Sequence, residues 1–315
     1  MLGVFLDAAS LGEDVDLQPV VQQLSEVSIW PQTKPEQVVE RIAAAQVVLV
    51  NKVRLGEAEL AQARHLKLIC VLATGMNNID LEAAARLGIE VHNVRGYGTE
   101  SVAQHSLMLL LALATRLPLY QKSLLAGDWQ KSAQFCLMQH KTTQLAGKTL
   151  LLVGRGELGQ RVAELAQALG MQVVFAARTD DSHAGDASFQ ALLPQADAVS
   201  FHCPLTPATT HLLDADLLAQ AKPSLLVVNT ARGGIVDEQA ALNALRRGQI
   251  AGLAMDVLTT EPPVQGHPLL EALDEELNLI MTPHSAWISP EARQNILGLT
   301  AKQLAAWQAQ NKEFD

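Results

Sequence analysis

Three side chains late in the chain have the makings of proton and anion chemistry. They are Arg232 in VVNTARGGIVDE (227–238), Glu261 in AMDVLTTEPP (254–263) and His284 in IMTPHSAWIS (280–289). A guanidinium binds a carboxylate through charge-assisted hydrogen bonds. It also stabilises charge growing on a carbonyl oxygen, and a protonated imidazole gives that oxygen a proton. A carboxylate beside the ring favours its imidazolium form, the part expected of Glu261 next to His284. The set suits hydride transfer to a 2-oxo acid. Each residue alone also has an ordinary reading: a surface arginine, a solvated glutamate, a hydrogen-bonded loop histidine.

Hydride chemistry asks for a dinucleotide, and the stretch LLVGRGELGQRVAELAQALGMQVVFAART (151–179) has the outline of a site for one. Gly154, Gly156 and Gly159 match G-x-G-x-x-G between an apolar run and a helix-like stretch. The first glycine permits a tight turn, the second lets backbone approach a pyrophosphate, and the third lets helix pack on sheet. The helix N-terminus offers unpaired N–H groups to phosphate. NAD-preferring sites place a carboxylate at the end of the second strand. Here the residues are Ala177, Arg178 and Thr179. Without the carboxylate nothing repels a 2′-phosphate, Arg178 can pair with one through its planar fork, and Thr179 adds a hydroxyl. The expectation is NADP(H) in preference to NAD(H). The alternative is that Arg178 is an ordinary surface residue and NAD(H) binds without its usual carboxylate.

Elements must bring these residues to one edge. β-like runs alternate with helical stretches along nearly the whole chain, a pattern of α/β folds with parallel sheets. Residues 3–6, 47–50, 68–72 and 89–94 read as strands, with helices over 35–45 and 80–87. A long helix begins near Ser101 and runs to Ala114, and 127–147 reads as irregular. A second series follows at 149–154, 173–177, 198–202, 225–230, 252–257 and 279–284, then a last helix over 289–312. Six strands with intervening helices fit a doubly wound sheet, whose ligands bind at the carboxyl ends of the strands. Arg232, Asp256, Glu261 and His284 all stand at or just past the C-terminal ends of strands in this series.

Composition narrows the partners. The chain has 315 residues, 49% of them hydrophobic, and 33 acids against 23 bases give a net charge of −10. Such a chain is globular with a two-domain length, and its charge disfavours nucleic acid or an anionic membrane surface. Cys70, Cys136 and Cys203 lie far apart with no metal-ligand spacing, so no metal is expected and a reducing compartment is. The N-terminus lacks the basic region of a signal peptide, and the apolar run Leu107 to Ala114 is too short to span a bilayer. A cytoplasmic protein with a buried helix there is the expectation.

The pieces VGRGELG, HCPLTPATTHL, NTARGGIVDE, MDVLTTEPP and TPHSAW together resemble the D-isomer-specific 2-hydroxyacid dehydrogenases. So does the first part of the chain, in VFLDAASLGEDVDL, NKVRLG and LATGMNNIDLEAAARLGIEVHNVRGYGTESVAQH. The resemblance is strongest to the glycerate dehydrogenase or hydroxypyruvate reductase branch. It implies an NAD(P)-dependent oxidoreductase of two domains, a Rossmann-type cofactor domain (99–287) inserted into a smaller flavodoxin-like substrate domain (1–98 and 288–315). Two crossings between domains imply hinge closure over the substrate. Arg232 would hold the substrate carboxylate, Glu261 support His284, and His284 act as acid–base group. Asp256 would contact the nicotinamide amide, and Gly154, Arg155, Gly156, Glu157, Leu158, Gly159, Cys203, Pro204, Thr230 and Ala231 would line the cofactor. Backbone N–H groups of Ala73, Thr74 and Gly75 would bind the substrate carboxylate. Lys52 faces the same cleft or is a solvated loop residue, and Trp287 forms a pocket wall or packs in the hinge.

The implied substrates are small 2-oxo acids, hydroxypyruvate and glyoxylate first. A phosphoglycerate dehydrogenase would need a basic patch and often carries a C-terminal regulatory domain, which a chain ending at Asp315 is expected to lack. A different 2-oxo acid, or a nucleotide-sensing corepressor-like binding protein of the same fold, is the alternative. The resemblance also implies a homodimer through the cofactor domain, around Ser101 to residue 140.

Overall fold

The computed structural model describes residues 1–177 and 187–311. The chain divides into two compact units, Met1–Gly98 together with the residues from Ile288 on, and Thr99–Trp287. The larger unit is therefore an insertion into the smaller.

Among the described residues the smaller unit has five strands, β1 (Leu2–Phe5), β2 (Glu26–Ile29), β3 (Val47–Val50), β4 (Leu68–Val71) and β5 (Glu90–Asn93). They pair in parallel in the order β2-β1-β3-β4-β5, which is the flavodoxin-like order. Strand β2 is an addition to the four that the apolar runs predict. Its sequence, EVSI, is mostly exposed at the sheet edge, so no apolar run marks it. The central strands β3 and β4 are buried throughout, as parallel strands covered on both faces must be. The region expected to be one helix over 35–45 is a 3-10 turn, Pro35–Gln37, followed by helix Val38–Ile42. The last helix, Pro290–Gln310, starts at Ser289, whose side chain accepts the Ala292 N–H.

The described part of the larger unit has six strands, β6 (Thr149–Val153), β7 (Gln172–Phe175), β8 (Ala198–Phe201), β9 (Leu226–Asn229), β10 (Gly252–Met255) and β11 (Leu279–Met281). All are parallel, in the order β11-β10-β9-β8-β6-β7. The chain's winding reverses between β6 and β8, and such a switch point opens a crevice at the carboxyl edge.

Alternation decides what each face packs against. Leu151, Val153, Val199, Phe201, Val227, Leu253 and Met255 belong to one core cluster. Leu150, Leu152, Ala198, Val228 and Ala254 belong to the other, with Ala103, Leu109, Leu110 and Leu113 of helix Thr99–Ala114 and Val162, Ala163 and Ala166 of helix Glu157–Ala168. Each buried Leu or Val contributes roughly 1.5–3 kcal/mol relative to exposure. One face of the apolar helix after Ser101 is thus core, with Met108 and Leu111 left exposed, and no single helix among the described residues is long and apolar enough to cross a membrane.

Candidate active site

β6 runs straight into the glycine loop, and the three glycines have different reasons to be there. Gly154 has φ +112, and a Cβ on it would stand 2.4 Å from the His202 carbonyl oxygen past β8. Gly159 is pressed onto the loop itself, where a Cβ would stand 2.0 Å from the Gly154 carbonyl oxygen. A Cβ on Gly156 would meet nothing within 4 Å. The fold demands the first and third glycines, whereas the second borders open space at the N-terminus of helix Glu157–Ala168. Unpaired N–H groups and the helix dipole make that space favourable for phosphate, so the cradle fits a dinucleotide pyrophosphate.

The neighbours of the cradle have tasks of their own. The Arg155 guanidinium lies 4.8 Å from the centre of the Phe175 ring. Glu157 Oε1 accepts the Thr99 hydroxyl at 2.8 Å, and Leu158 packs on the core. Across the switch point, burial pushes the Cys203 thiol up to about 11, and the Pro204 carbonyl accepts the Thr209 hydroxyl. The Ala177 N–H donates to the Ala187 carbonyl at 3.0 Å. Arg178 and Thr179 lie outside the described residues.

Past β9, the fully buried Asn229 shapes the Arg232 turn. Its Oδ1 accepts the Ala231 N–H at 3.0 Å and its Nδ2 donates to the Arg232 carbonyl at 2.8 Å. The Thr230 hydroxyl pairs with Ser106 at 2.8 Å in the core. Gly233 lets this turn lie on the next loop, since a Cβ there would stand 2.0 Å from the Leu258 carbonyl carbon. That loop presents Glu261. Its Oε1 accepts the Leu258 N–H at 2.8 Å, and its Oε2 lies 2.7 Å from His284 Nδ1. Burial pushes the Glu261 carboxyl up, but the hydrogen bonds from His284 and Leu258 and the charges of His284 and Arg232 outweigh it and hold the group below its usual range. Glu238 braces the same loop. Its Oε1 accepts the Thr259 N–H and hydroxyl, and its Oε2 pairs with His267 Nε2 at 3.0 Å.

His284 has φ +52, a sparsely populated conformation for a residue with a side chain. Asp256, only 1% exposed, holds it there. The Asp256 carbonyl accepts the His284 N–H at 2.7 Å, Oδ1 accepts the Thr282 hydroxyl and the Ser285 N–H, and Oδ2 accepts the Ala286 N–H. The residue expected to meet the nicotinamide is also the anchor of the histidine turn. Trp287 follows that turn, half-buried.

In the smaller unit, Ala73, Thr74 and Gly75 follow β4. The Thr74 hydroxyl donates to the Val94 carbonyl, and the Thr74 carbonyl accepts Asn93 Nδ2 at 2.6 Å. Lys52 follows β3 and borders a cavity of about 900 Å³ with Asp7, Ser10, Thr33 and Arg54.

Asn229, Glu238 and His105 escaped the reading from sequence. Asn229 ends an apolar run, and His105 and Ser106 interrupt an apolar helix, so a polar residue in an apolar stretch was the available signal. Glu238 carried none.

The family model described as D-isomer specific 2-hydroxyacid dehydrogenase, NAD binding domain, matches residues 107–286. The glycerate dehydrogenase of Methylorubrum extorquens is 41% identical over 293 residues, 92% of this chain and 91% of that protein. The hydroxypyruvate reductase of Blautia hydrogenotrophica is 31% identical over 277 residues, 86% of this chain and 85% of that one. The crystal structure of a Thermus thermophilus protein superposes with a TM-score of 0.83 at 31% identity, covering 98% of this chain and 97% of its own. The chain belongs to the D-isomer-specific 2-hydroxyacid dehydrogenase family, and the larger unit carries that family's nicotinamide-dinucleotide-binding domain.

Proposed function

We propose that this protein is an NADPH-dependent reductase of small 2-oxo acids, with hydroxypyruvate and glyoxylate as first substrates. The observation that carries the reading is the 2.7 Å contact of His284 Nδ1 with an anionic Glu261, beside the Arg232 turn. The bound nicotinamide supplies the hydride. Arg232 holds the substrate carboxylate and stabilises charge growing on the carbonyl oxygen. Glu261 occupies Nδ1 of His284, so Nε2 gives the proton to that oxygen. Ala73, Thr74 and Gly75 offer N–H groups to the substrate carboxylate, and Lys52 and Trp287 belong to the same reading. Preference for NADPH rests on Ala177 and Arg178, where a carboxylate would repel the 2′-phosphate.

Assembly is part of the reading. Met108, Leu111, Leu125, Trp129, Phe135 and Met138 are exposed within one stretch of the larger unit, the kind of apolar patch that a second copy covers. Sedimentation of the purified protein at twice the chain mass tests it.

The test of function is oxidation of NADPH and of NADH, side by side, with hydroxypyruvate and glyoxylate. NADPH oxidation alone supports the full reading. Equal rates with both cofactors remove the role of Arg178 and keep the reductase. His284→Ala is expected to lower kcat by about 10²–10⁴-fold while NADPH still binds. Near-normal kcat in that variant overturns the proton-donor role.

A further inference from the structure

The helix Thr99–Ala114 carries a polar pair toward the carboxyl edge of the larger sheet, His105 and Ser106. Ser106 joins Thr230 past β9, and His105 joins Thr282 past β11. We infer that His105 is a positioning residue for the proton donor, fixing the turn 282–286 through Thr282 and Asp256 by donating a hydrogen bond from Nε2. The inference deepens the reductase reading and rests on it for its effect on catalysis.

Counting protons gives the direction of each bond. The Thr282 hydroxyl has one proton, and it goes to Asp256 Oδ1 at 2.5 Å. Its oxygen is therefore the acceptor in the 3.1 Å contact with His105 Nε2, and Nε2 must carry hydrogen. The ring also stands 3.6 Å from Asp256 Oδ1. A bare nitrogen at that place would face the lone pairs of two oxygens. Burial pushes the His105 imidazole down, with the Asp256 charge opposing in part, so the ring is neutral at neutral pH and its proton sits on Nε2. Among the described residues, Asp256 is the charged group that acts on the ring from the strand ends.

The far end of this chain of bonds is the catalytic turn. Asp256 uses the same Oδ1 for the Ser285 N–H at 2.8 Å and its Oδ2 for the Ala286 N–H at 3.0 Å. Its own carbonyl takes the His284 N–H at 2.7 Å. A residue at left-handed φ persists only where its surroundings over-determine it. Thr282 is fixed on one side by Asp256 and on the other by His105. With that second bond gone, the hydroxyl is free to rotate away from the carboxylate and the turn loses its outer restraint. The aim of His284 Nε2 then loosens, while Glu261 still holds Nδ1.

Three variants test this: His105→Leu, His105→Gln and Thr282→Val. The glutamine amide nitrogen reaches nearly the place of Nε2 and donates, whereas leucine cannot. Valine keeps the shape of threonine and removes the relay. Two readouts are taken on protein shown to be folded by its melting curve: reductase kcat and KM, and amide hydrogen exchange at Ser285 and Ala286. His105→Leu and Thr282→Val are expected to lower kcat by about 10-fold or more, with KM for the cofactor within about 2-fold. Both are expected to speed exchange at the two amides by about 10-fold. His105→Gln is expected to restore both readouts to within about 3-fold of wild type. Unchanged exchange in His105→Leu, or equal damage from leucine and glutamine, overturns the inference, as does a silent Thr282→Val. If the unaltered protein reduces no 2-oxo acid, the reductase reading has failed, and amide exchange still decides the restraint.

Discussion

Both units place a buried carboxylate just past one strand and use it to grip the turn after the neighbouring strand. In the smaller unit Asp7, past β1, accepts the N–H groups of Asn51, Lys52 and Val53 past β3. In the larger unit Asp256, past β10, grips Thr282, Ser285 and Ala286 past β11. The device is the same, and the gripped turns differ. Among the described residues the Asp7 turn shows no left-handed residue, whereas the Asp256 turn holds His284 at φ +52 against Glu261. A carboxylate grip is a way of ending parallel strands. On the proposed mechanism it becomes part of the reaction only where the turn it fixes carries the proton donor.

The hardest test of this contrast is to cut both grips. Asp256→Ala and Asp7→Ala each leave several backbone donors unpaired, at about 1–3 kcal/mol for each that stays buried. Both are expected to melt earlier. Asp256→Ala is expected to lower kcat by about 10²-fold, because a misplacement near 1 Å is enough for that, whereas Asp7→Ala, whose turn carries Lys52, is expected to act on KM for the 2-oxo acid with kcat much less changed. Equal losses of kcat in steady-state assays would break the comparison.

The glycines sharpen it next, since they separate fold from ligand within one loop. Gly159→Ala drives a Cβ into the Gly154 carbonyl and is expected to destabilise the larger unit by about 2 kcal/mol or more. Gly156→Ala meets no protein atom among the described residues. It is expected to leave the melting temperature within about 2 °C and to weaken NADPH binding about 10-fold, read by quenching of protein fluorescence.

Acid is expected to find the larger unit first. Burial pushes the His202 imidazole down to about 4 from 6.5, and its Nδ1 is enclosed without a partner among the described residues. Below pH 6.5 the unfolded chain takes up a proton that the folded one refuses, so this stability is full above 6.5 and is lost as pH falls to about 4. The loss is about 3 kcal/mol over that window. Hydrogen exchange followed against pH is expected to show it in the larger unit, and His202→Gln is expected to flatten it. The smallest effect belongs to Glu261. Its depressed carboxyl adds stability that is present above about pH 4.5 and fades as pH falls through the folded value. In melting temperature Glu261→Gln is expected to lose only that shallow slope, while its kcat falls because His284 loses its anionic partner.

Much of this was legible along the chain. Apolar runs bounded by turn residues placed every described strand but one, most plainly β3 and β4, which are buried on both faces and written almost wholly in Val, Leu and Ile. Strand β2 was not legible, because its residues EVSI are mostly exposed and form no apolar run, whereas the edge strands β5 and β7 lie beside apolar residues that mark them. Arg232, Glu261 and His284 could be named as candidates because each follows a strand with a side chain able to bind an anion or move a proton, but each alone also had an ordinary reading, and the family resemblance is what joined them. Glu238 could not, since a glutamate opening a helix looks the same whether or not it braces a distant loop.

What the sequence by itself determined is periodicity and local chemistry: where strands and helices form, which loop must be glycine, and which side chains can bind an anion or move a proton. These follow from residues a few positions apart. The tertiary structure alone decided which polar groups hold one another. His105 and Thr282 are 177 positions apart, Ser106 and Thr230 are 124 apart, and Asp256 and Ala286 are 30 apart. Their contacts exist because a parallel sheet collects the ends of all its strands on one edge, whatever the chain between them. No local pattern records such a meeting, since its energy comes from partners that become neighbours only once the core beneath them has packed.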